Sequence, residues 1–267
     1  MIRFSQTAPG AGADSPLHRF DARIKLISAL LLLVGIVITP ERAFPAYPLI
    51  WALIASVGLI GGIHPVRLAR HSAVALPFAL VGITLLFTVP GQPLIAVGGI
   101  AISDAGAARF AGILLKTLLA AQVSILLMLT TPFTDLLWAL EQLRVPAPLV
   151  QITALLYRYL FTLKEEGARL NAARAARSAG KRAGGSLLWR AQVAGSIIGS
   201  LFLRSMERSE RVYAAMAARG FTRGFTRGFA GRPPISAPIR WQSVLIGLLP
   251  VTVLVTIQVL ARAWWSR

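Results

Sequence analysis

Two arginines, Arg177 and Arg219, each follow an alanine-rich run and precede a small residue, in "AARAARSAG" and "AAMAARGF". At the C-terminus of a helix, a guanidinium interacts favourably with the helix dipole and can bind a carboxylate or backbone carbonyl groups as a fork. Alanine adds no bulk that would keep a second surface away. The pattern favours two arginine-tipped contacts with a cytosolic protein. The alternative is that basic helix ends simply accompany a membrane-spanning chain.

Residues that could hold a metal ion or a nucleotide are few. The chain has three histidines, ten acidic residues and no cysteine, so thiolate ligands and disulfides are excluded. His64 and His71 flank the basic loop "PVRLAR", which would repel a divalent cation, and His18 stands beside Arg19. There is no G-x-x-x-x-G-K-[ST] loop to bind nucleotide phosphates. We therefore expect this chain to bind no cofactor of its own.

The composition indicates a membrane protein. Hydrophobic residues make up 55% of the 267 residues, charged residues only 14%, and the mean hydropathy is +0.67. A transmembrane helix needs roughly 20 mostly apolar residues. Apolar segments of about this kind predict five spans, near 24–39, 44–63, 72–89, 110–130 and 241–261. Lys116 lies inside the fourth span, and its position favours snorkelling or helix packing over a place in an ion pathway.

Basic residues are distributed unevenly between the segments that link these spans. With the N-terminus in the cytoplasm, 23 of the 28 lysines and arginines fall on the cytoplasmic side, as the positive-inside rule requires. The N-terminal segment lacks the apolar core of a signal peptide. The predicted organisation is a membrane region at 1–130 with four spans, a cytoplasmic helical coupling region at 131–240, and a final transmembrane helix at 241–267.

The region between spans four and five predicts two long helices, 148–180 and 186–220, each apolar at its start and alanine-rich and basic at its end. The second should end at Arg219, because the glycines of "RGFTRGFTRGF" (219–229) disfavour a helix. This repeat suits the anionic inner leaflet of a membrane, and RNA binding is the alternative. The predicted fold is all-α: a polytopic membrane protein with about five transmembrane helices and long cytoplasmic coupling helices.

Opposite charges along these helices predict ion pairs. Glu207 and Arg211 are four residues apart, which is typical of an exposed pair within one helix. Glu166 with Arg169, or Glu210 with Arg211, could instead bridge the two helices. The sequence leaves these possibilities open.

At these residues the chain resembles the transmembrane T component of energy-coupling factor (ECF) transporters, in the CbiQ-like cobalt/nickel branch. That family carries two Ala-Arg-Gly motifs at the ends of cytoplasmic coupling helices. The second is intact here as Ala218-Arg219-Gly220, and the first appears as Ala176-Arg177-Ser178, with serine in place of glycine. Further matching segments are "DSPLHRFDARIKL", "TTPFTDLLWALEQLRVP" and "LLYRYLFTLKEEGARLNAARAAR". The resemblance covers most of the chain.

The resemblance implies a coupling scaffold and no catalytic activity. In such transporters a dimer of ABC-type ATPase subunits (CbiO-like) binds ATP and Mg²⁺, and the arginine-tipped helices dock in its grooves. ATP-driven closure then reaches a separate substrate-binding membrane subunit (CbiM-like), often with a small helper subunit (CbiN-like). It also implies a bacterial inner membrane location. The residues it assigns to ATPase coupling are Ala176, Arg177, Ser178, Ala218, Arg219 and Gly220.

Other function classes make different demands on the sequence. A T component shared among vitamin-specific ECF transporters stays open, and cobalt is not distinguished from nickel, because selectivity would lie in the partner. A membrane-embedded lipid or prenyl enzyme usually needs acidic pairs such as D-D-x-x-D, and no two aspartates lie close together. A channel or secondary transporter should show intramembrane charges or internal repeats. The lipid bilayer is an expected partner, and nucleic acid is not.

Overall fold

The computed structural model describes residues 20–40, 43–77, 81–90, 93–97, 100–177, 186–220 and 241–265. These residues are predominantly helical, which confirms the all-α class. The helices include, in chain order, α1 (Ala22–Ile38), α2 (Ala46–Ile60), α3 (Pro65–Ser72), α4 (Leu85–Thr88), α5 (Asp104–Thr130), α6 (Phe133–Gln142), α7 (Ala147–Arg177), α8 (Leu187–Ala218) and α9 (Trp241–Trp265). A small antiparallel hairpin joins β1 (Pro93–Val97) to β2 (Ile100–Ser103).

The chain divides into two compact units, one of Met1–Ala139 with Ser236–Arg267 and one of Leu140–Ile235. The first unit has a core built on α1, α2 and α5, with Leu68 and Leu254 also buried in it. Apolar residues three or four apart lie on one side of a helix, so each helix contributes one row of side chains. The rows are Ala29, Leu32 and Ile36 in α1; Tyr47, Ile50 and Ile54 in α2; and Leu119, Val123 and Leu126 in α5.

Glycines let α1 and α9 approach each other closely. A Cβ atom on Gly35 would overlap Leu254, and one on Gly247 would overlap Ile24. Gln258 in α9 also donates hydrogen bonds to the Gly35 carbonyl and to Thr39 Oγ1. Small residues at a helix contact, with a polar side chain bonding across it, are typical of helix association in membranes.

Two lysines bind the last turns of α1 and α5. Lys25 Nζ, near the start of α1, donates to the Thr130 carbonyl at the end of α5 over 3.3 Å. Lys116 Nζ, in α5, donates to the Val37 carbonyl at the end of α1 over 3.2 Å. The last carbonyls of a helix have no partner within it and carry the negative end of the dipole, so both contacts stabilise these ends. The structure therefore places Lys116 in helix packing, as the sequence favoured.

Membrane-spanning capacity is unequal among the described helices. By length and apolar composition, Asp104–Thr130 is the one described helix that qualifies alone. Ala46–Ile60 and Pro65–Ala75 qualify together, but a 118° bend separates them, and Gly247–Ala263 is a shorter apolar stretch. Helix α1, at 17 residues, extends about 25 Å, less than a hydrocarbon core of about 30 Å. The number of five spans stays a prediction.

The predicted third span, 72–89, stays a prediction, because residues 78–80 within it lie outside the described residues. Its described residues include two 3₁₀ turns, Ala73–Ala75 and Val81–Thr84, and the single-turn helix α4. Pro77 lies between the two turns, and a proline removes a backbone donor and clashes with the preceding turn of a helix. The β1–β2 hairpin was not predicted. Its last residue, Ser103, is the N-cap of α5, where its Oγ accepts a hydrogen bond from Gly106 N at 3.0 Å.

Candidate functional site

The second unit contains α7 and α8, the two long helices predicted from the sequence. Helix α7 runs to Arg177, and α8 begins after Ser186, whose Oγ accepts a hydrogen bond from Trp189 N at 3.2 Å. Serine is a favoured N-cap because its oxygen satisfies a free N–H group of the first turn. Alanine-rich stretches then carry both helices to their arginine ends.

Helix α8 ends where its glycine allows the chain to turn. Ala218 is the last helical residue and Arg219 the C-cap, as predicted. Gly220 adopts a φ of +73° and its N–H donates to the Ala217 carbonyl at 2.9 Å. A left-handed glycine after the C-cap is a common way to satisfy the last carbonyls. The glycine in Ala-Arg-Gly thus fixes the helix end and leaves Arg219 exposed at it.

Helices α7 and α8 are antiparallel, and three contacts along them show it. The Arg174 guanidinium, near the end of α7, lies 5.6 Å from the ring centre of Trp189 at the start of α8. Glu166, in the middle of α7, binds arginines in the middle of α8. Arg158, near the start of α7, and Arg219 line one pocket of about 400 Å³.

The two predicted arginine tips therefore lie at opposite ends of this helix pair. Arg158, which shares a pocket with Arg219, is about 28 Å from Arg177 along α7, from the helical rise per residue. Arg177, Ala176, Ala218 and Arg219 are all exposed. Ser178 and the arginine-glycine-phenylalanine-threonine repeat from 221 onwards lie outside the described residues. The structure does not bring Arg177 and Arg219 together. The helix pair can instead present one arginine to each of two surfaces about 30 Å apart.

Glu166 is the residue that links α7 to α8. Its Oε2 accepts a hydrogen bond from Arg208 Nη2 at 3.0 Å, and its Oε1 lies 3.5 Å from Arg204 Nη1. The Glu166 side chain is only 14% exposed. The sequence left open whether Glu166 and Arg169 bridge the two helices, and the structure shows that Glu166 does so through two arginines one turn apart in α8. Glu207 and Arg211 form the predicted exposed pair within α8, at 3.9 Å.

A groove of about 640 Å³ runs beside this link, between α7 and α8. Its charged lining residues are Glu166, Arg169, Arg174, Arg177, Arg204 and Arg208. Five arginines against one glutamate give the lining a net charge of +4. The sequence shows many arginines in these helices, but only the antiparallel pairing reveals which of them face a common groove.

Metal ligands are sparse in the part of the chain that the structure describes. No group of three or more histidine, cysteine, aspartate or glutamate residues is placed there to hold an ion. His64 is the N-cap of α3, and His71 Nδ1 lies 2.7 Å from the Arg67 carbonyl one turn earlier. Both histidines therefore accompany a short basic helix.

Comparisons with known proteins agree on one family. The family model for CbiQ, described as cobalt transport protein, matches residues 13–228. Cobalt transport protein CbiQ of Rhodobacter capsulatus is 31% identical over 73% of this chain and 76% of its own. The ECF transporter transmembrane protein EcfT of Thermanaerovibrio acidaminovorans is 28% identical over 90% of this chain and 91% of its own. Nickel permease LarQ of Lactiplantibacillus plantarum is 30% identical over 83% of this chain and 72% of its own.

Proposed function

The chain belongs to the CbiQ family of cobalt transport proteins, the membrane components of ECF-type cobalt and nickel transporters, and from that premise we propose that it is the coupling subunit of such a transporter. It transmits the conformational change of a partner ABC-type ATPase dimer to a separate substrate-binding membrane subunit. ATP and Mg²⁺ bind to the ATPase, and this chain binds neither them nor the transported metal tightly. It crosses the membrane several times, with its N-terminus in the cytoplasm.

The observation that carries this proposal is the placement of Arg177 and Arg219. Both are exposed at helix ends, they follow similar alanine-rich sequences, and they lie at opposite ends of one antiparallel pair. A dimer of ATPase subunits presents the same kind of surface twice, on either side of its two-fold axis. Two similar arginine tips about 30 Å apart fit two such surfaces. A single binding site that used both arginines would require them to lie close together.

The test compares Arg177→Ala, Arg219→Ala and the double variant in the transporter reconstituted with its ATPase and membrane subunits. Truncation of an arginine at the centre of an interface costs about 2 kcal/mol or more, so each single variant should weaken ATPase binding about thirtyfold. The double variant should lose metal uptake while the membrane subunits still co-purify. Arg211→Ala, an exposed arginine of α8 paired within its own helix, is the matched control. Unchanged uptake and ATPase co-purification in the double variant would contradict the proposal.

Metal selectivity belongs to the partner subunit in this proposal. The relatives are named for cobalt and for nickel, and the described residues hold no cluster of ligands that could choose between them. Exchange of the substrate-binding subunit should therefore change the ratio of Co²⁺ to Ni²⁺ uptake while this chain stays the same. A ratio that follows this chain instead would assign selectivity to it.

The same exchange tests the second candidate, a T component shared among vitamin-specific subunits, which the 28% identity to an EcfT protein over 90% of this chain favours. A shared component should co-purify with more than one kind of substrate-binding subunit. Co-purification with the metal-specific subunit alone would restrict the chain to metal transport.

A further inference from the structure

The groove between α7 and α8 concentrates positive charge that the helix pair does not neutralise. Glu166 is the acidic residue among its lining residues, and it is already bound to Arg204 and Arg208. Arg169 and Arg177 are exposed at the same groove. Like charges that face one space repel each other, so an anion in the groove would stabilise the arrangement.

The chemistry of the groove favours a phosphate. Guanidinium groups bind phosphate oxygens through paired, charge-assisted hydrogen bonds, and several of them can share the oxygens of one group. The lining also includes the apolar residues Leu170, Ala173, Val193 and Ile197 and the hydroxyl residues Ser196 and Ser200. A lining with both guanidinium groups and apolar side chains suits a ligand that has both a phosphate and hydrocarbon.

The end of the groove continues into side chains that are typical of a membrane interface. Trp189 packs against Arg174, which lines the groove. Leu187 and Leu188, at the start of α8, are 83% and 81% exposed. Tryptophan at the level of the headgroups, exposed leucine and clustered arginine are the features by which a helix binds an anionic bilayer surface.

We propose that this groove binds a phosphate-bearing anion, and that its ligand in the membrane is the headgroup of an acidic phospholipid. Arg169 and Arg174 bind the phosphate, and Glu166 limits the charge of the groove by neutralising part of Arg204 and Arg208. These phosphate contacts are separate from the proposed ATPase contacts, because they need neither Arg177 nor Arg219.

The test uses the full chain, purified in detergent, and counts bound lipid by native mass spectrometry. Phosphatidylglycerol is the probe, phosphatidylcholine is the lipid with no net charge, and pyrophosphate is the free phosphate. Each arginine near an anionic lipid contributes about a fivefold gain in binding, so Arg169→Gln/Arg174→Gln should weaken phosphatidylglycerol binding about thirtyfold. Arg177 stays intact, so that this test does not disturb the proposed ATPase contact.

The control is Arg67→Gln/Arg211→Gln, which removes two exposed arginines outside the groove and changes the net charge equally. It should change phosphatidylglycerol binding less than threefold. If the double groove variant does not fold, Arg169→Gln alone, at an exposed position, should still weaken binding about fivefold.

Equal losses in the groove variant and the control would overturn the site, because they would show only a general attraction between charges. Groove-dependent binding of pyrophosphate without any preference for phosphatidylglycerol would support the phosphate chemistry and overturn the lipid source. Loss of ATPase co-purification with unchanged lipid binding would assign the arginines to a protein contact and overturn the proposal.

Discussion

Replacement of Glu166 by glutamine should loosen α7 from α8 without removing either helix. Glutamine keeps the shape of the side chain and one oxygen acceptor, but it loses the negative charge that Arg204 and Arg208 share. The contact joins the middle of each helix, so it is the described ion pair best placed to hold the two together. We expect local opening of the pair to become easier in Glu166→Gln.

The size of the effect follows from how exposed each partner is. Arg208 is 34% exposed and bonds to the 14%-exposed carboxylate at 3.0 Å, and a hydrogen bond to a charged group is worth about 1.5–3 kcal/mol when it is well shielded. Solvent reduces this value here. Arg204 is 58% exposed at 3.5 Å, so its contribution is a few tenths of a kcal/mol. The total is about 1–2 kcal/mol, which corresponds to a fivefold to thirtyfold change in the opening equilibrium.

Hydrogen–deuterium exchange of the purified chain measures this opening directly, peptide by peptide. Amides in the central turns of α7 and α8 should exchange about five to thirty times faster in Glu166→Gln. Glu207→Gln is the matched control, because its pair with Arg211 at 3.9 Å is 70% exposed on both sides and lies within one helix. The reversed pair Glu166→Arg/Arg208→Glu should recover part of the protection. Equal exchange in Glu166→Gln and the unmodified chain would refute the assignment of Glu166 as the link.

Two further predictions concern the first unit. Gly247→Ala should lower the stability of the purified chain by about 1–3 kcal/mol, measured by thermal unfolding in detergent, because its Cβ overlaps Ile24. Gly195→Ala, with open space around it, is the control and should be neutral or stabilising. Equal losses of stability in the two variants would contradict close packing as the cause. Lys116→Met should lower the free energy of unfolding by about 1 kcal/mol, because it leaves the Val37 carbonyl without its donor. Metal uptake should be retained. Loss of uptake at unchanged stability would instead place Lys116 in the transport path.

The sequence was most informative where local chemistry decides structure. Helix ends depend on a few neighbouring residues, so Gly220 correctly placed the end of α8 at Arg219. The partner of Glu166 depends on how two helices pair, over 42 residues of separation from Arg208. Periodicity cannot fix that pairing, so the sequence left open which charged residues bridge the two helices. The groove arginines were missed for the same reason, since their common surface exists only after pairing.

Hydrophobicity alone also left local structure unspecified. The segment 72–89 is apolar enough to suggest a span, and its described residues include 3₁₀ turns on either side of Pro77 that hydrophobicity does not predict. The β1–β2 hairpin follows in a glycine-containing loop that gave no alternating pattern of polar and apolar residues. For Lys116 the sequence was more informative. Its position within the predicted span favoured snorkelling or helix packing, and the structure shows the carbonyl that it binds.

Helices α7 and α8 differ from the first unit in what they leave uncovered. Val150 and Gln151 are the buried residues of α7, and α8 has none. Large apolar side chains along α8, including Phe202 and Met206, are more than half exposed. In water such a surface is unfavourable, and a helix of this kind depends on tertiary packing for its stability. In the proposed coupling role these helices contact lipid and partner proteins, and an uncovered apolar surface fits that role, while the Glu166 link joins α7 to α8.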